Sequence, residues 1–276
     1  MNKKIILTGA AGFIGSNVLR GLNEAGYENL VIVDRGELSD AKKKNIEGAQ
    51  YLEYLNSADF LAKIERDEIK DVSIIIHIGA SVDTTDKDRE GLLKNNTEYS
   101  KAIFNYCVRN NARLIYASSA ATYGAGEKGY DDRERNLKPM NSYAESKYLF
   151  DEFVLDAEAK PSQWVGLKFF NVYGPGEAHK GQMASMVYHL YNKILATSEA
   201  RLFKSYRAGI AHGEQRRDFV YVRDIAKVIL FFLAHPEKSG LFNLGTGEAR
   251  TFNDLARAVF VREPCVIFSQ RAIQII

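Results

Sequence analysis

A tyrosine and a lysine stand four residues apart in Tyr143-Ala144-Glu145-Ser146-Lys147, a spacing that puts both side chains on one face of a helix. A phenol ionises near pH 10 and is a poor base at neutral pH. A cation one turn away, with an oxidised nicotinamide beside it, would stabilise the phenolate and draw its pKa toward the working range. The same ammonium could hold the hydroxyls of a nicotinamide ribose. The pair alone says little, because a chain with 15 Tyr and ordinary lysine content holds about one such pair by chance. Ser118-Ser119-Ala120-Ala121-Thr122 adds weight, because it closes an apolar strand. The carboxyl ends of strands in open α/β sheets face the ligand crevice. A hydroxyl there, Ser119, can hydrogen-bond a reacting carbonyl or alcohol. A helix cap or a polar strand end would use the same residues.

A second chemistry-bearing stretch lies near the N-terminus. Thr8-Gly9-Ala10-Ala11-Gly12-Phe13-Ile14-Gly15 places glycines at i, i+3 and i+6. The first suits a tight turn, the second lets a diphosphate approach the backbone, and the third lets helix and strand pack closely. Free N–H groups at the helix start then favour an anion. Ordinary turn glycines are the plain alternative, and the strand-before, helix-after context favours a dinucleotide. The next strand ends in Val33-Asp34-Arg35. A carboxylate at that spacing takes the adenosine ribose hydroxyls of NAD. Arg35, with Lys42, Lys43 and Lys44 nearby, could instead clamp a 2′-phosphate, or form a solvated basic loop. Arg35 beside the ribose position favours NADP over NAD.

Alternating elements must hold these groups. Residues 4–8, 29–33, 72–77, 113–117, 164–170, 219–222 and 241–244 are short, apolar and β-branched, and read as strands. Residues 13–26, 90–110, 141–158, 181–197, a stretch from 222 to about 233 and a start near Thr251 read as helices. Residues 200–213 are polar and basic, suited to a loop or edge strand. Strand–helix alternation predicts an α/β fold, a doubly wound parallel sheet with a smaller C-terminal substrate lobe. Residues 1–174 would form the dinucleotide-binding domain, with 217–245 returning to it, and 175–216 with 246–276 the substrate lobe.

Composition narrows the function classes. The chain has 276 residues, 37 Lys+Arg, 35 Asp+Glu and a formal net charge of +2. That balance argues against nucleic acid or a membrane surface as partner. Cys107 and Cys265 form no CxxC, so a reducing cytoplasm is expected and no metal site is. No apolar run approaches the roughly 18 residues that span a bilayer, and the N-terminus has no signal-peptide pattern.

These motifs, with Asn171-Val172-Tyr173-Gly174-Pro175, Arg217-Asp218-Phe219-Val220-Tyr221-Val222 and Asn243-Leu244-Gly245-Thr246-Gly247, resemble the extended short-chain dehydrogenase/reductases, the NAD-dependent epimerase/dehydratase family of nucleotide-sugar enzymes. Tyr116 to Gly124, Ser146 to Glu152 and His179-Lys180-Gly181-Gln182-Met183-Ala184-Ser185 resemble the branch acting on ADP-linked heptoses. The resemblance implies an epimerase of C6″: bound NADP oxidises the alcohol to a ketone, the ketone turns, and the hydride returns to its other face. Tyr143 would serve one orientation as acid or base and Lys180 the other. From chemistry alone, Lys180 is equally a diphosphate-binding or solvated lysine.

The resemblance further implies that Phe13, Ile14, Ile78, Gly79, Ala80, Ser81, Asn95, Val172, Lys147 and Lys180 line the cofactor. Ser119, Asn171, Gln182, His189, Phe203 and Arg217 would touch the sugar nucleotide, although Arg217 could instead pair with Asp218 or Glu214. A homo-oligomer is expected. Rival readings are a nucleotide-sugar 4-epimerase, a 4,6-dehydratase, or an inactive NADP-binding paralogue. A dehydratase needs an Asp-Glu pair where Ala120-Ala121 stands, and a 4-epimerase has no need of the His179-Lys180 turn. From Val261 onward the chain departs from the family pattern, which predicts a shortened substrate lobe. Gly176 stands where a basic residue is expected.

Overall fold

The computed structural model describes residues 3–206 and 208–260. The departure after Val261, and Cys265 with it, lies outside these residues; Cys107 is buried and free.

Strand β1 (Lys4–Thr8) is followed by α1 (Phe13–Glu24) and β2 (Leu30–Asp34). Then come α2 (Asp40–Asn45), β3 (Glu53–Asn56), α3 (Ser57–Glu65) and β4 (Val72–His77). A long helical stretch joins α4 (Arg89–Leu92), a π turn (Leu93–Glu98) and α5 (Tyr99–Arg109). Strand β5 (Arg113–Ser119) runs into a 3-10 turn (Ala120–Tyr123), followed by α6 (Ser142–Asp156) and β6 (Trp164–Phe169). The rest comprises β7 (Asn171–Tyr173), a 3-10 segment (Ala178–Met183), α7 (Met186–Thr197), β8 (Arg216–Arg217) and β9 (Phe219–Tyr221). It closes with α8 (Val222–Ala234), β10 (Gly240–Leu244), β11 (Arg250–Thr251) and α9 (Phe252–Phe260).

Seven strands form one sheet in the order β10-β6-β5-β4-β1-β2-β3, and every pairing in it is parallel. The inner strands β1, β2 and β4 are apolar along most of their length rather than alternating, because helices cover both faces. Ile5, Leu7, Ile32, Ile74 and Ile76 pack under α1 and α8 against Val18, Leu22, Ile225 and Phe232. Ile6, Val31, Val33, Ile75 and Leu114 face the other way, toward Phe60, Ile103, Phe104, Phe150 and Val154. This is the doubly wound arrangement expected. Strand order reverses between β1 and β4, so the carboxyl ends of those two strands open the crevice where ligands bind in such sheets.

A small third cluster joins Tyr173, Leu190, Phe219, Leu255 and Ala256. It carries the pair β7–β9 and helices α7 and α9; β8 and β11 form a separate antiparallel pair.

The sequence reading missed α2, β3 and α3. Strand β3 is an edge strand with no fully buried residue, and α3 buries only Phe60 and Ile64, so the apolar signal is thin. The helix expected from residue 181 starts at Met186 instead. Gly181 adopts φ 54°, and Ser185 Oγ accepts the Tyr188 N–H at 3.2 Å, capping the new start. The first helix ends at Glu24, before Gly26 with φ 84°. Among the described residues, no helix is long and apolar enough to cross a membrane.

Candidate active site

The glycine turn meets a second glycine turn across the crevice. Gly9 has φ 68°, and a Cβ on it would lie 2.7 Å from Gly79 Cα. A Cβ on Gly15 would lie 2.0 Å from the Gly9 carbonyl oxygen, so only glycine lets α1 sit this close to β1. Helix α1 has Gly12 as N-cap, no capping side chain and no acidic residue in its first turn. Its first N–H groups, at Phe13 and Ile14, meet no acidic side chain of the helix's own first turn, an arrangement that favours an anion there. This cradle fits the diphosphate of a nicotinamide dinucleotide.

His77 ends β4 and joins the crevice floor to the helices. Its Nδ1 lies 2.7 Å from Thr8 Oγ1, and its Nε2 2.9 Å from Ser100 Oγ. Ser100 donates onward to the Asn96 carbonyl, so Ser100 Oγ accepts from Nε2–H and the Thr8 hydroxyl donates to Nδ1. Burial first, and the nearby Lys147 second, push the imidazole down to about 3. It is neutral at ordinary pH.

On the adenosine side, Asp34 is buried at the end of β2. Its Oδ2 accepts the Ala11 N–H at 2.9 Å, and its Oδ1 accepts from Arg35 N–H at 2.8 Å and Lys42 Nζ at 2.7 Å. The carboxylate is thus largely engaged within the protein. The exposed Arg35 guanidinium spans to Ser81 Oγ at 2.8 Å. Arg35 and Ser81, from two different strand ends, therefore meet over the crevice.

Ser119 meets Tyr143, and Lys147 follows Tyr143 by one turn on α6. Ser119 closes β5, accepts the Ala121 N–H at 3.1 Å through its Oγ, and hydrogen-bonds Tyr143. Lys147 is only 3% exposed. Burial draws its ammonium down to about 8, and Asp151 opposes that shift. Burial raises the Tyr143 phenol above its ordinary 10.0, the Ser119 hydrogen bond opposing and Asp151 adding.

The 78–81 turn is fastened to α6 by a residue that sequence reasoning missed. Asn96, in the π turn, accepts the Ser81 N–H at 2.7 Å and donates to Ser81 O at 3.0 Å and Ser146 Oγ at 2.9 Å. Its one signal in the sequence is its place, four residues from both Leu92 and Ser100, on a stripe that is buried. The predicted Asn95 is exposed beside it.

Lys180 also faces this region. Its Nζ lies 5.3 Å from the centroid of the Phe13 ring, at the start of α1. Burial lowers the ammonium, and Glu177 opposes the shift. Glu177 is buried and staples the segment: it accepts from Gly174 N–H at 3.1 Å, Ser185 N–H at 2.6 Å and the Ser185 hydroxyl at 2.8 Å. Asn45 of α2 donates to the carbonyls of Ala11 and Gly176, both at 3.1 Å, and the His179 ring also bonds Gly176 O, at 3.0 Å. Gly176 has φ 94°, and a Cβ there would lie 3.4 Å from Ser16 Oγ and Asn17 Nδ2. That backbone disfavours the basic residue the family pattern places there.

The remaining expected residues lie toward the small lobe. Val172 packs, half-buried, against the main core. Asn171 is exposed and donates twice to Asp218 O, at 3.0 Å from its N–H and 3.1 Å from its side chain. Gln182 is exposed, with His189 Nε2 3.2 Å from its carbonyl. Phe203 is 63% exposed and meets Phe252 edge-on. Among the described residues no hydrogen bond or ring contact joins Phe203 or Arg217 to Gln182 and His189. Arg217 does not pair with Asp218. It bonds the Arg216 carbonyl at 2.7 Å, while Asp218 accepts from Thr246 N–H, the Thr246 hydroxyl and Gly247 N–H.

Residues 5–245 match the NAD dependent epimerase/dehydratase family. The chain is 45% identical over 260 residues to an ADP-L-glycero-D-manno-heptose-6-epimerase of Fusobacterium nucleatum, covering 92% of this chain and 78% of that protein. The solved ADP-L-glycero-D-manno-heptose-6-epimerase of Helicobacter pylori aligns with a TM-score of 0.80 at 33% identity, over 95% of this chain and 82% of that one. A UDP-N-acetylglucosamine 4-epimerase of Methanobrevibacter ruminantium aligns at 0.79 with 27% identity, over 93% and 80% of the two chains. A UDP-glucose 4-epimerase of Thermus thermophilus, in complex with NAD, aligns at 0.74 with 26% identity, over 93% and 82%.

Proposed function

The chain belongs to the NAD dependent epimerase/dehydratase family, and we propose that it is an isomerase that inverts C6″ of ADP-D-glycero-D-manno-heptose to give the L-glycero epimer. The observation that carries this reading is its 45% identity, over nearly its whole length, to an enzyme of that name. The same reading makes it a cytoplasmic homo-oligomer supplying heptose to the lipopolysaccharide core.

A nicotinamide dinucleotide bound over the glycine turn would supply the hydride acceptor and donor that the inversion needs. Gly9, Gly12, Phe13, Ile14 and Gly15 would hold its diphosphate by backbone N–H groups. Ile78, Gly79, Ala80, Ser81, Asn95 and Val172 would line it, and Lys147 would take a ribose. We assign NADP rather than NAD, because Asp34 is engaged by Ala11, Arg35 and Lys42 while the Arg35 guanidinium stands exposed beside it.

Tyr143 accepts the proton of the C6″ hydroxyl in one orientation of the sugar, a proton reaches the ketone oxygen from the other acid once the sugar has turned, and both groups regain their starting protonation by exchange with solvent. Ser119 orients that oxygen. Lys147, cationic below its value of about 8, stabilises the phenolate. Lys180, with its ammonium lowered by burial, performs the proton transfer on the opposite face. Asn171, Gln182, His189, Phe203 and Arg217 hold the sugar nucleotide, Arg217 against a phosphate. Elimination chemistry is disfavoured: the 3-10 turn after Ser119 begins Ala120-Ala121 and offers no carboxylate pair. The 4-epimerase reading lacks a use for Lys180.

The test is a pair of substitutions. Tyr143→Phe and Lys180→Ala should each slow interconversion of the two ADP-heptose epimers by about 100-fold or more, with sugar-nucleotide affinity within a few-fold of the parent. A Lys180→Ala enzyme changed in KM alone would make Lys180 a binding residue.

A further inference from the structure

Behind the Ser119–Tyr143–Lys147 face lies a buried charged network that the mechanism above does not use. Asp151 is 1% exposed and Lys168 is 1% exposed. Lys168 Nζ lies 2.9 Å from Asp151 Oδ2. The same carboxylate accepts the Ser118 hydroxyl at 2.6 Å and the Tyr116 hydroxyl at 3.1 Å. Lys168 also donates to Thr122 Oγ1 at 2.7 Å, and the Thr122 hydroxyl donates to the Ser119 carbonyl at 2.8 Å. The lysine lies 4.9 Å from the centroid of the Tyr123 ring.

Two features set this apart from ordinary core packing. A buried ion pair is a poor source of stability, since desolvation offsets its attraction. And both ends of the network lie next to the reactive face. Asp151 follows Lys147 by one helical turn on α6. Lys168 reaches Ser119 through a single intervening hydroxyl.

We propose that Asp151 and Lys168 are positioning residues: Asp151 is the buried counter-charge that keeps Lys147 cationic, and Lys168, through Thr122, fixes the backbone of Ser119 and thereby its hydroxyl against Tyr143. The inference rests on the proposed function for its catalytic meaning, though its electrostatic half stands without it. The groups facing Lys147 support the assignment. His77, from β4, is neutral, and Tyr143 is a phenol. Tyr116 of β5, Tyr123 of the 3-10 turn and Lys168 of β6 face Asp151. Glu98 and Lys101, on the π turn and α5, pair with each other nearer the surface. Asp151, buried one turn along α6 from the buried Lys147, is therefore the one carboxylate among these whose charge acts on it.

The experiment labels lysine side chains with 13C and follows the Lys147 resonance, identified by its loss in Lys147→Arg, against pH in cofactor-free protein. The parent is compared with Asp151→Asn and with the double variant Asp151→Asn/Lys168→Met, which removes the Lys168 charge along with its partner and leaves Lys147 as the one buried charge of the three. Whichever of the two melts cooperatively carries the readout. Its Lys147 midpoint should fall by about one pH unit or more, a tenfold change in proton affinity, and the alkaline limb of kcat should move the same way. Thr122→Val should leave that midpoint in place and lower kcat about tenfold with KM within about twofold. An unmoved Lys147 midpoint overturns the counter-charge role, and a Thr122→Val enzyme of parental kcat overturns the Ser119 role. Because the resonance is read without cofactor or sugar, a parent that does not epimerise ADP-heptose sinks the proposed function separately.

Discussion

Tyr143 has a phenol that burial holds above its ordinary value and a neighbouring ammonium brought down to about 8. Such a pair must be completed by what binds beside it, which is why the site needs a bound dinucleotide as well as the right residues. Arg35 is exposed while Asp34 is satisfied within the protein. Calorimetry on cofactor-stripped protein should therefore give at least about tenfold tighter binding of NADP than NAD, with Arg35→Ala removing most of the difference, as charge-assisted bonds of this kind require. Equal affinities in the parent would contradict it. His77 yields a pH prediction. Folded, it titrates at about 3 against an ordinary 6.5, so between those values the unfolded chain binds more protons and stability falls as pH falls. The urea midpoint of a His77→Gln variant should decline less steeply from pH 6.5 to pH 4 than that of the parent.

At this scale the sequence was legible where spacing carries chemistry. Ser119, Tyr143 and Lys147 were offered by helix spacing and a strand end taken together, and Lys180 by the family resemblance. Asn96, Asp151 and Glu177 did not, because a buried polar side chain looks in sequence like any surface one. Only the fold shows that each is enclosed and fully bonded.

Among elements, the decisive junction is the meeting of the β1–α1 turn with the end of β4. Gly15 is where it is least tolerant, since an added Cβ would fall 2.0 Å from Gly9 O. Gly15→Ala should push α1 off β1, lower the melting temperature and weaken dinucleotide binding more than about tenfold, because the helix N-terminus no longer aims at the diphosphate. Scanning calorimetry and a binding titration check both. The central strands were readable because burial on both faces makes them continuously apolar. Strand β3 and helices α2 and α3 were not, being short, peripheral and poorly buried. The shift of the α7 start to Met186 follows from a glycine with positive φ and a serine cap, both local features that a coarse periodicity overlooks.

Among the described residues burial is uneven at the scale of the whole molecule. Two large clusters sandwich the seven-stranded sheet, while α7, α9 and the β7–β9 pair rest on a cluster of five buried residues. Opening of the smaller part therefore exposes less apolar surface and costs less. Hydrogen exchange should be fast in α7, β8 and β11 and slow in β1, β4 and β5. The sugar nucleotide should slow the first group, and the dinucleotide alone should slow the glycine turn. Protection spread evenly between the two groups would contradict this division.

The most direct test follows the sugar itself. Purified protein is incubated with ADP-D-glycero-D-manno-heptose, and the C6″ configuration is read by proton NMR while nicotinamide absorbance is recorded. The account predicts that both epimers accumulate toward a fixed ratio with no net oxidation or reduction of nicotinamide. An unchanged sugar, or a product formed only with consumption of the nucleotide cofactor, would contradict it.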